Sequence, residues 1–149
     1  MHRVREILNR QTESFYVKPE WTVCEAARYM AKRNIGAAAV IDDDRRVIGM
    51  FSERDIIQRV VAAGRDPSNV TVREIMTTDI VTTTPEETLD ICAAKMNARR
   101  CRHLPVLDQG RLTGMISMRD ILEMQLRDIE QENEHLRAYL NLVPPGFQS

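Results

Sequence analysis

One eight-residue stretch of this chain occurs twice, as GMFSERDI at residues 49–56 and as GMISMRDI at residues 114–121. In each copy a short apolar run precedes the pattern Ser-x-Arg-Asp, and an amphipathic segment follows it. This order predicts a strand that delivers a hydroxyl and a carboxylate to the start of a helix. Two copies indicate that the chain is built from two similar halves.

The duplication extends well beyond this stretch. Aligning Pro19 with Pro85 brings most of the two halves into register, and residues 4–8 match residues 72–76 further upstream. A repeat of this length is a structural unit. We therefore divide the chain into a first repeat at residues 1–65, a second repeat at 66–125, an amphipathic helix at 121–143 and a tail at 144–149.

Hydrophobic periodicity predicts the same order of elements in each half. In the first half we expect a helix after Thr22, a buried strand at 37–41, a second strand at 46–51 and a helix at 55–61. In the second half we expect a helix at 88–99, strands at 104–107 and 111–116, and a helix from Met118. Helices and paired strands in this order predict an α+β fold.

Composition excludes several classes of function. Lys and Arg total 21 against 22 Asp and Glu, and this balance gives no electrostatic reason to bind nucleic acid or an anionic membrane. No apolar run approaches the roughly 18 residues of a membrane span, and the charged start is unlike a signal peptide, so we predict a cytoplasmic protein. The three cysteines lack metal-ligand spacing and are predicted to be reduced and buried, and no metal site is expected.

A heptad pattern follows the second repeat. Its apolar seam runs through Leu122, Leu126, Ile129, Asn133, Leu136, Leu140 and Val143. Asn133 takes an a position, where a buried amide favours a two-stranded parallel pairing, and Glu132 and Arg137 are placed to pair between chains. The alternative is that the same stripe packs back on its own domain. Pro144-Pro145-Gly146 is predicted to end the helix.

With the repeat and the Gly-x-x-Ser-x-x-Asp motifs in view, the sequence resembles a tandem pair of CBS (cystathionine-beta-synthase-type) domains, the Bateman module. Residues 102–108 and 110–121 carry the stronger likeness, and the first half carries a weaker one. The resemblance implies two β-α-β-β-α units packed through their sheets about a pseudo-two-fold axis. It also implies adenosine compounds bound in two clefts between the units, and a flat homodimer.

The motif residues suit such a ligand chemically. An ionised carboxylate accepts hydrogen bonds from both hydroxyls of a ribose, which makes Asp55 and Asp120 the predicted ribose readers. The resemblance implies the other ligand-binding residues. They are Ser52, Ser117, Arg54 and Arg119 for phosphate, Thr77, Ile80, Cys101, Arg102 and His103 in the cleft of the first motif, and Ile35, Gly36 and Ala37 in the other cleft. Both motifs also have a purely structural interpretation, in which Ser52 and Ser117 are helix caps and Asp55 and Asp120 complete capping boxes. Arg102 and His103 have one as solvated residues at a strand edge.

The resulting hypothesis is a non-catalytic signal-transduction or energy-sensing module. It binds AMP, ADP, ATP or NAD(H) as a regulatory ligand, with S-adenosylmethionine also open, uses no catalytic cofactor, and acts through a homodimer or an unidentified protein target. The competing hypothesis is a homodimeric interaction scaffold that uses the C-terminal helix and has vestigial ligand sites. A nucleotide-hydrolysing enzyme is the least favoured, because the sequence shows no nucleophile and base pair and no phosphate loop.

Overall fold

The structure is a computed structural model that describes residues 1–11 and 13–142. The helices are α1 Val4–Leu8, α2 Val23–Arg33, α3 Glu53–Ile56, which continues as a π-helical segment Ile57–Val61, α4 Val72–Ile75, α5 Leu89–Arg99 and α6 Met118–Leu142. The strands are β1 Tyr16–Val17, β2 Ala37–Ile41, β3 Val47–Ser52, β4 His103–Asp108 and β5 Arg111–Ser117. The α+β prediction is confirmed.

The local signals read from the sequence are present in α2. Thr22 caps its start, with its Oγ1 accepting a hydrogen bond of 3.1 Å from the backbone N–H of Glu25. Asn34 ends it in the left-handed conformation, at φ 55°, which asparagine tolerates better than most residues. The chain then turns directly into β2, where every residue is buried.

The two repeats differ in their sheets. In the first, β1 pairs parallel with β2, and β2 pairs antiparallel with β3. In the second, β4 pairs with β5, and the predicted first strand is reduced to a parallel bridge between Thr83 and Val106. Pro105 gives a physical reason, because it has no N–H to donate to a further ladder bond on that side of β4.

The first helix of each repeat packs in the core of the other repeat. Val4 and Ile7 of α1 lie in the core that is otherwise formed by the second repeat. Val72 and Ile75 of α4 lie in the core of the first repeat, beside Phe51. The two halves therefore exchange helices, and neither core is complete without residues from the other half.

The sheets of the two repeats meet through a third, smaller cluster. Its buried members are Ala39 and Ile41 from β2 and Leu112 from β5. The N–H of Leu112 donates to the carbonyl of Arg45 over 3.1 Å, and the Arg45 guanidinium donates back to the Leu112 carbonyl over 3.2 Å. This contact and the helix exchange relate the halves in the pseudo-symmetric manner that the resemblance implied.

Helix α6 is held to the domain only along its first part. Ile121 and Met124 are buried in the second core, while Leu122, Leu126 and Ile129 are 54–56% exposed. The alternative interpretation, in which the heptad stripe packs on its own domain, is therefore wrong, because other residues of α6 face that core. Val143 and the predicted stop at 144–146 lie outside the described residues. In the described part of the chain, no helix is long and apolar enough to span a membrane.

His2 ties the start of the chain to α6. Its Nδ1 lies 2.9 Å from Glu6 Oε1 and its Nε2 lies 2.7 Å from Asp128 Oδ2. The hydrogen bond to Glu6 first, and then the one to Asp128, raise the pKa of His2 above its ordinary 6.5. The protonated form is favoured by folding, so its contribution to stability is complete below pH 6.5 and is lost as pH rises through the raised pKa.

The His2 contacts predict a pH-dependent mutant effect. His2→Gln should lower Tm relative to the wild type at about pH 5.5, and the difference should vanish at about pH 9. High salt should reduce the difference at the lower pH, because the groups are partly exposed. His135→Gln, on the exposed outer part of α6, is the matched control. Equal differences at both pH values would contradict this account.

Candidate functional site

A cleft lies between the two repeats, at the start of α3. Its volume is about 640 Å³, within the range of small-molecule sites. Its lining residues are Gly36, Ala37, Met50, Ser52, Glu53, Arg54, Asp55, Thr77, Asp79, Ile80, Val81, Arg99, Arg100, Cys101, Arg102 and His103. We call it the first-motif cleft. It brings together ten of the fourteen residues predicted from the sequence.

Ser52 and Asp55 form a closed hydrogen-bonded pair at the start of α3. Asp55 Oδ2 accepts from the Ser52 N–H over 3.0 Å and from Ser52 Oγ over 3.1 Å. Ser52 Oγ in turn accepts from the Asp55 N–H over 3.3 Å. The structural interpretation as a capping box is therefore confirmed. The capping box leaves the Asp55 carboxylate able to accept further hydrogen bonds, because an ionised carboxylate offers about four lone-pair sites.

The second carboxylate oxygen of Asp55 faces the other repeat. Thr77 Oγ1 donates to Asp55 Oδ1 over 3.4 Å, and Arg59 Nε lies 3.9 Å from the same oxygen. The Asp55 side chain is only 12% exposed, yet it lines the cleft. These contacts hold a charged acceptor in a fixed position with capacity for further donors.

A close backbone contact positions Thr77. Met50 and Thr77 exchange two backbone hydrogen bonds, of 2.8 and 2.9 Å. A Cβ on Gly49 would lie 2.8 Å from Met76 Sδ and 3.0 Å from the Thr77 carbonyl oxygen. Glycine at position 49 thus allows the start of the second repeat to approach β3, and this approach forms one wall of the cleft.

Arginines line the side of the cleft that belongs to the second repeat. Arg99 pairs with Asp79 over 2.9 Å. Arg100, Arg102 and, from the first repeat, Arg54 make no side-chain hydrogen bond or ion pair with another described residue. The cleft lining therefore carries four arginines against three carboxylates, those of Glu53, Asp55 and Asp79.

Sequence reasoning missed Arg99 and Arg100 as cleft residues. Arg100 ends α5 in the left-handed conformation, at φ 52°, where the first repeat has Asn34. Arginine is less suited to this conformation than asparagine. The one available signal was the departure from the asparagine of the first repeat at the equivalent helix end.

His103 is half-buried and lines the same cleft. Burial lowers its pKa below the ordinary 6.5, Arg102 lowers it further, and Asp120 and Glu53 oppose the shift. The imidazole is therefore neutral at pH 7, where it can both donate and accept a hydrogen bond. Cys101, beside it, is half-buried against the second core.

Gly36 and Ala37 lie in a different cleft from the one expected. The sequence predicts that they lie, with Ile35, in the cleft of the second motif. In the structure β2 pairs antiparallel with β3 and sets Ala37 opposite Ser52, so both residues border the first-motif cleft. Ile35 is packed against the first core and does not line the cleft.

The second motif stands outside this cleft. Ser117 and Asp120 also cap their helix, through hydrogen bonds of 2.8 and 3.1 Å. Arg119 is directed to solvent and pairs with Glu123 over 3.2 Å. The equivalent space is partly filled by Gln11, whose Nε2 donates to the carbonyl of Met115 over 2.5 Å.

What remains of the second space is a cavity of about 290 Å³. It is lined by Arg10, Gln11, Glu13, Ser14, Phe15 and Met115, and by none of the second-motif residues Ser117, Arg119 and Asp120. The buried Ser14 hydroxyl has no hydrogen-bond partner among the described residues. In the described ranges, no three His, Cys, Asp or Glu side chains are grouped so that they could hold a metal ion.

Two sequence repeats with exchanged helices and a cleft between them define a tandem-domain module. The family profile described as "CBS domain" matches residues 4–62 and again residues 72–127. The chain therefore belongs to the CBS domain family and contains two of its domains.

Relatives and solved structures agree with this assignment. The CBS domain-containing protein YhcV of Bacillus subtilis is 32% identical over 126 residues, which are 85% of this chain and 87% of that protein. A putative signal-transduction protein with CBS domains from Burkholderia ambifaria superimposes with a TM-score of 0.80 at 35% identity, over 85% of this chain and 96% of that one. The chain spans only 37–66% of the length of several other curated relatives.

Among the structural neighbours is a CBS domain pair solved with adenosine-containing ligands. It is the CBS domain pair of protein MJ0100 in complex with 5-methylthioadenosine and S-adenosyl-L-methionine. It is 25% identical to this chain, with a TM-score of 0.77 over 86% of this chain and 98% of that one. Both of its ligands contain adenosine.

Proposed function

We propose that this chain is a non-catalytic regulatory module of the cytoplasm that binds an adenine nucleotide, AMP, ADP, ATP or NAD(H), in the first-motif cleft. Ligand binding acts through a homodimer or through a separate protein target. The single observation that carries the proposal is the fixed Asp55 carboxylate in a cleft that also contains Arg54, Arg100 and Arg102, none of which has an ion-pair partner among the described residues.

The carboxylate suits the ribose. The two hydroxyls of a ribose are neighbouring donors, and charge-assisted hydrogen bonds to a carboxylate are stronger than neutral ones. Asp55 is held by Ser52 and Thr77, so little side-chain freedom is lost when a ligand binds. The adenosine compounds bound by MJ0100 support the same class of ligand.

The arginines favour a ligand with phosphates. Arg54, Arg100 and Arg102 line the cleft without an ion-pair partner in the described chain, and planar guanidinium groups match phosphate oxygens in pairs. The sulfonium cation of S-adenosylmethionine would be repelled on this side. We therefore favour nucleotides over the cationic ligand of the MJ0100 complex.

The position of the cleft suggests how binding acts on the protein. Ser52 and Asp55 come from the first repeat, while Thr77, Arg102 and His103 come from the second. A ligand that contacts both sides stabilises one relative position of the two halves over others. This linkage is a physical basis for regulation without catalysis.

A thermal-unfolding panel tests the proposal against the scaffold alternative. Nucleotide-stripped protein is measured with AMP, ADP, ATP, NAD, NADH and S-adenosylmethionine, with adenosine as the ligand without phosphate. A nucleotide at about 100 times its Kd should add about 2.7 kcal/mol to the free energy of unfolding, which raises Tm by several degrees. The shift should exceed that with adenosine and shrink at high salt. If none of the ligands shifts Tm, the scaffold hypothesis is favoured instead.

A further inference from the structure

Helix α6 has two faces that serve different purposes. Ile121 and Met124 are buried in the second core, and Asp128 is bonded to His2. At about 100° per residue these three side chains fall within about 60° of one another. They form the face by which the domain holds the helix.

The second face is the heptad seam, defined as Leu122, Leu126, Ile129, Asn133, Leu136 and Leu140. The same angular spacing places the centre of the seam about 130° from the face that the domain holds. Its apolar members are large and exposed: Leu122 56%, Leu126 54%, Ile129 55%, Leu136 54% and Leu140 51%. A contiguous apolar stripe of this kind marks an interaction surface.

We infer that a second copy of this chain covers the seam, and that the two α6 helices form a parallel two-stranded coiled coil. The inference rests on the homodimer named in the proposed function and specifies its contact. It is independent of whether the cleft binds a nucleotide.

The one polar residue of the seam, Asn133, favours a second copy of this chain in a parallel orientation. Asn133 takes an a position, and in a parallel pair it meets Asn133 of the second copy, where the two amides can bond to each other. In an antiparallel pair it would face an apolar d residue and leave its amide unsatisfied. The surrounding seam residues are apolar, so this one amide fixes both register and direction.

The flanking charges agree with a parallel pair of identical helices. Glu132 is a g residue and Arg137 is the following e residue. In a parallel dimer each Glu132 lies beside Arg137 of the second copy, twice per dimer. Neither side chain makes an ion pair with another described residue of its own chain. The seam is thus complementary to itself.

Sedimentation equilibrium of the full chain, without nucleotide, tests the inference. The wild type should have twice the 17.2 kDa chain mass, and Ile129→Asp should have the single-chain mass at the same concentration. Gln131→Asp puts the same charge at an f position of the same helix and should remain dimeric. A monomeric wild type, or an Ile129→Asp variant that stays dimeric, would overturn the inference.

A charge exchange provides a test that keeps the apolar seam intact. Glu132→Arg alone and Arg137→Glu alone each place like charges between the helices, and each should raise the dimer dissociation constant. Mixing the two variants restores opposite charges and should yield mostly heterodimer. A mixture with no preference for heterodimer would contradict the parallel pairing. Nucleotide binding, followed by thermal shift in each variant, should be unchanged, which separates this outcome from failure of the proposed function.

Discussion

Asp55→Asn should weaken nucleotide binding by about 10- to 100-fold, while Asp120→Asn should leave it within about twofold. The asparagine keeps the shape of the side chain and can still accept from the Ser52 N–H, so the helix cap is largely retained. What is lost is the charge that receives the ribose hydroxyls. Hydrogen bonds to a charged group contribute about 1.5–3 kcal/mol, which corresponds to this loss of affinity.

The two aspartates make a matched pair of variants. Both belong to a Ser-x-x-Asp cap at the start of a helix, but Asp55 lines the large cleft and Asp120 does not. Binding is measured by calorimetric titration of nucleotide-stripped protein, with the melting temperature of each free variant as the folding control. If Asp120→Asn abolished binding and Asp55→Asn did not, the ligand site would be the second cleft.

Ile7→Ala and Ile75→Ala should each lower the free energy of unfolding by about 2–5 kcal/mol and should destabilise both repeats together. Ile75 is 1% exposed in the first core and Ile7 is 5% exposed in the second, although each belongs by sequence to the other half. Because each half completes the core of the other, loss of one core removes support from both.

The only tryptophan of the chain makes this coupling measurable. Trp21 packs against the first core, so its fluorescence reports that core during urea unfolding, while circular dichroism reports the whole chain. Ile7→Ala should lower both midpoints equally at fixed protein concentration. Ile91→Ala, with a side chain that is 49% exposed, is the control and should change stability by less than about 0.5 kcal/mol. A Trp21 transition unaffected by Ile7→Ala would show that the repeats unfold separately.

Much of the fold follows from local signals in the sequence. The cap at Thr22, the left-handed Asn34 and the buried run of β2 each lie where periodicity and turn chemistry predict. These features depend on residues a few positions apart. Because the sequence is duplicated, the same prediction applies to the second half. Because the interacting residues are so close in the sequence, a single sequence is enough to predict these features.

Features set by distant contacts were not predictable in the same way. The sequence places Gly36 and Ala37 in the wrong cleft because their location depends on strand register. In the structure, Ala37 pairs with Ser52. The helix exchange depends on where α1 packs, and α1 and its core are far apart in sequence. Likewise, no local pattern shows that Gln11 reaches Met115 and fills part of the second space.

For the site, the sequence predicted the ribose side better than the phosphate side. Ser52 and Asp55 belong to a repeated motif with a clear chemical logic. Arg99 and Arg100 come from the end of α5, where Arg100 adopts the left-handed conformation, and both line the cleft. A surface arginine near a helix end is common, so its role depends on the tertiary structure.

Calorimetric titration of nucleotide-stripped wild-type protein with ATP, ADP, AMP and NADH tests the central claim most directly, because it measures the number of ligand molecules bound per chain. The account predicts saturable binding of at least one of these nucleotides with one site per chain, at the first-motif cleft. Two equivalent sites per chain would contradict the conclusion that Gln11 fills part of the second space. No heat of binding with any of them, confirmed by an unchanged Tm, would contradict the proposed function itself.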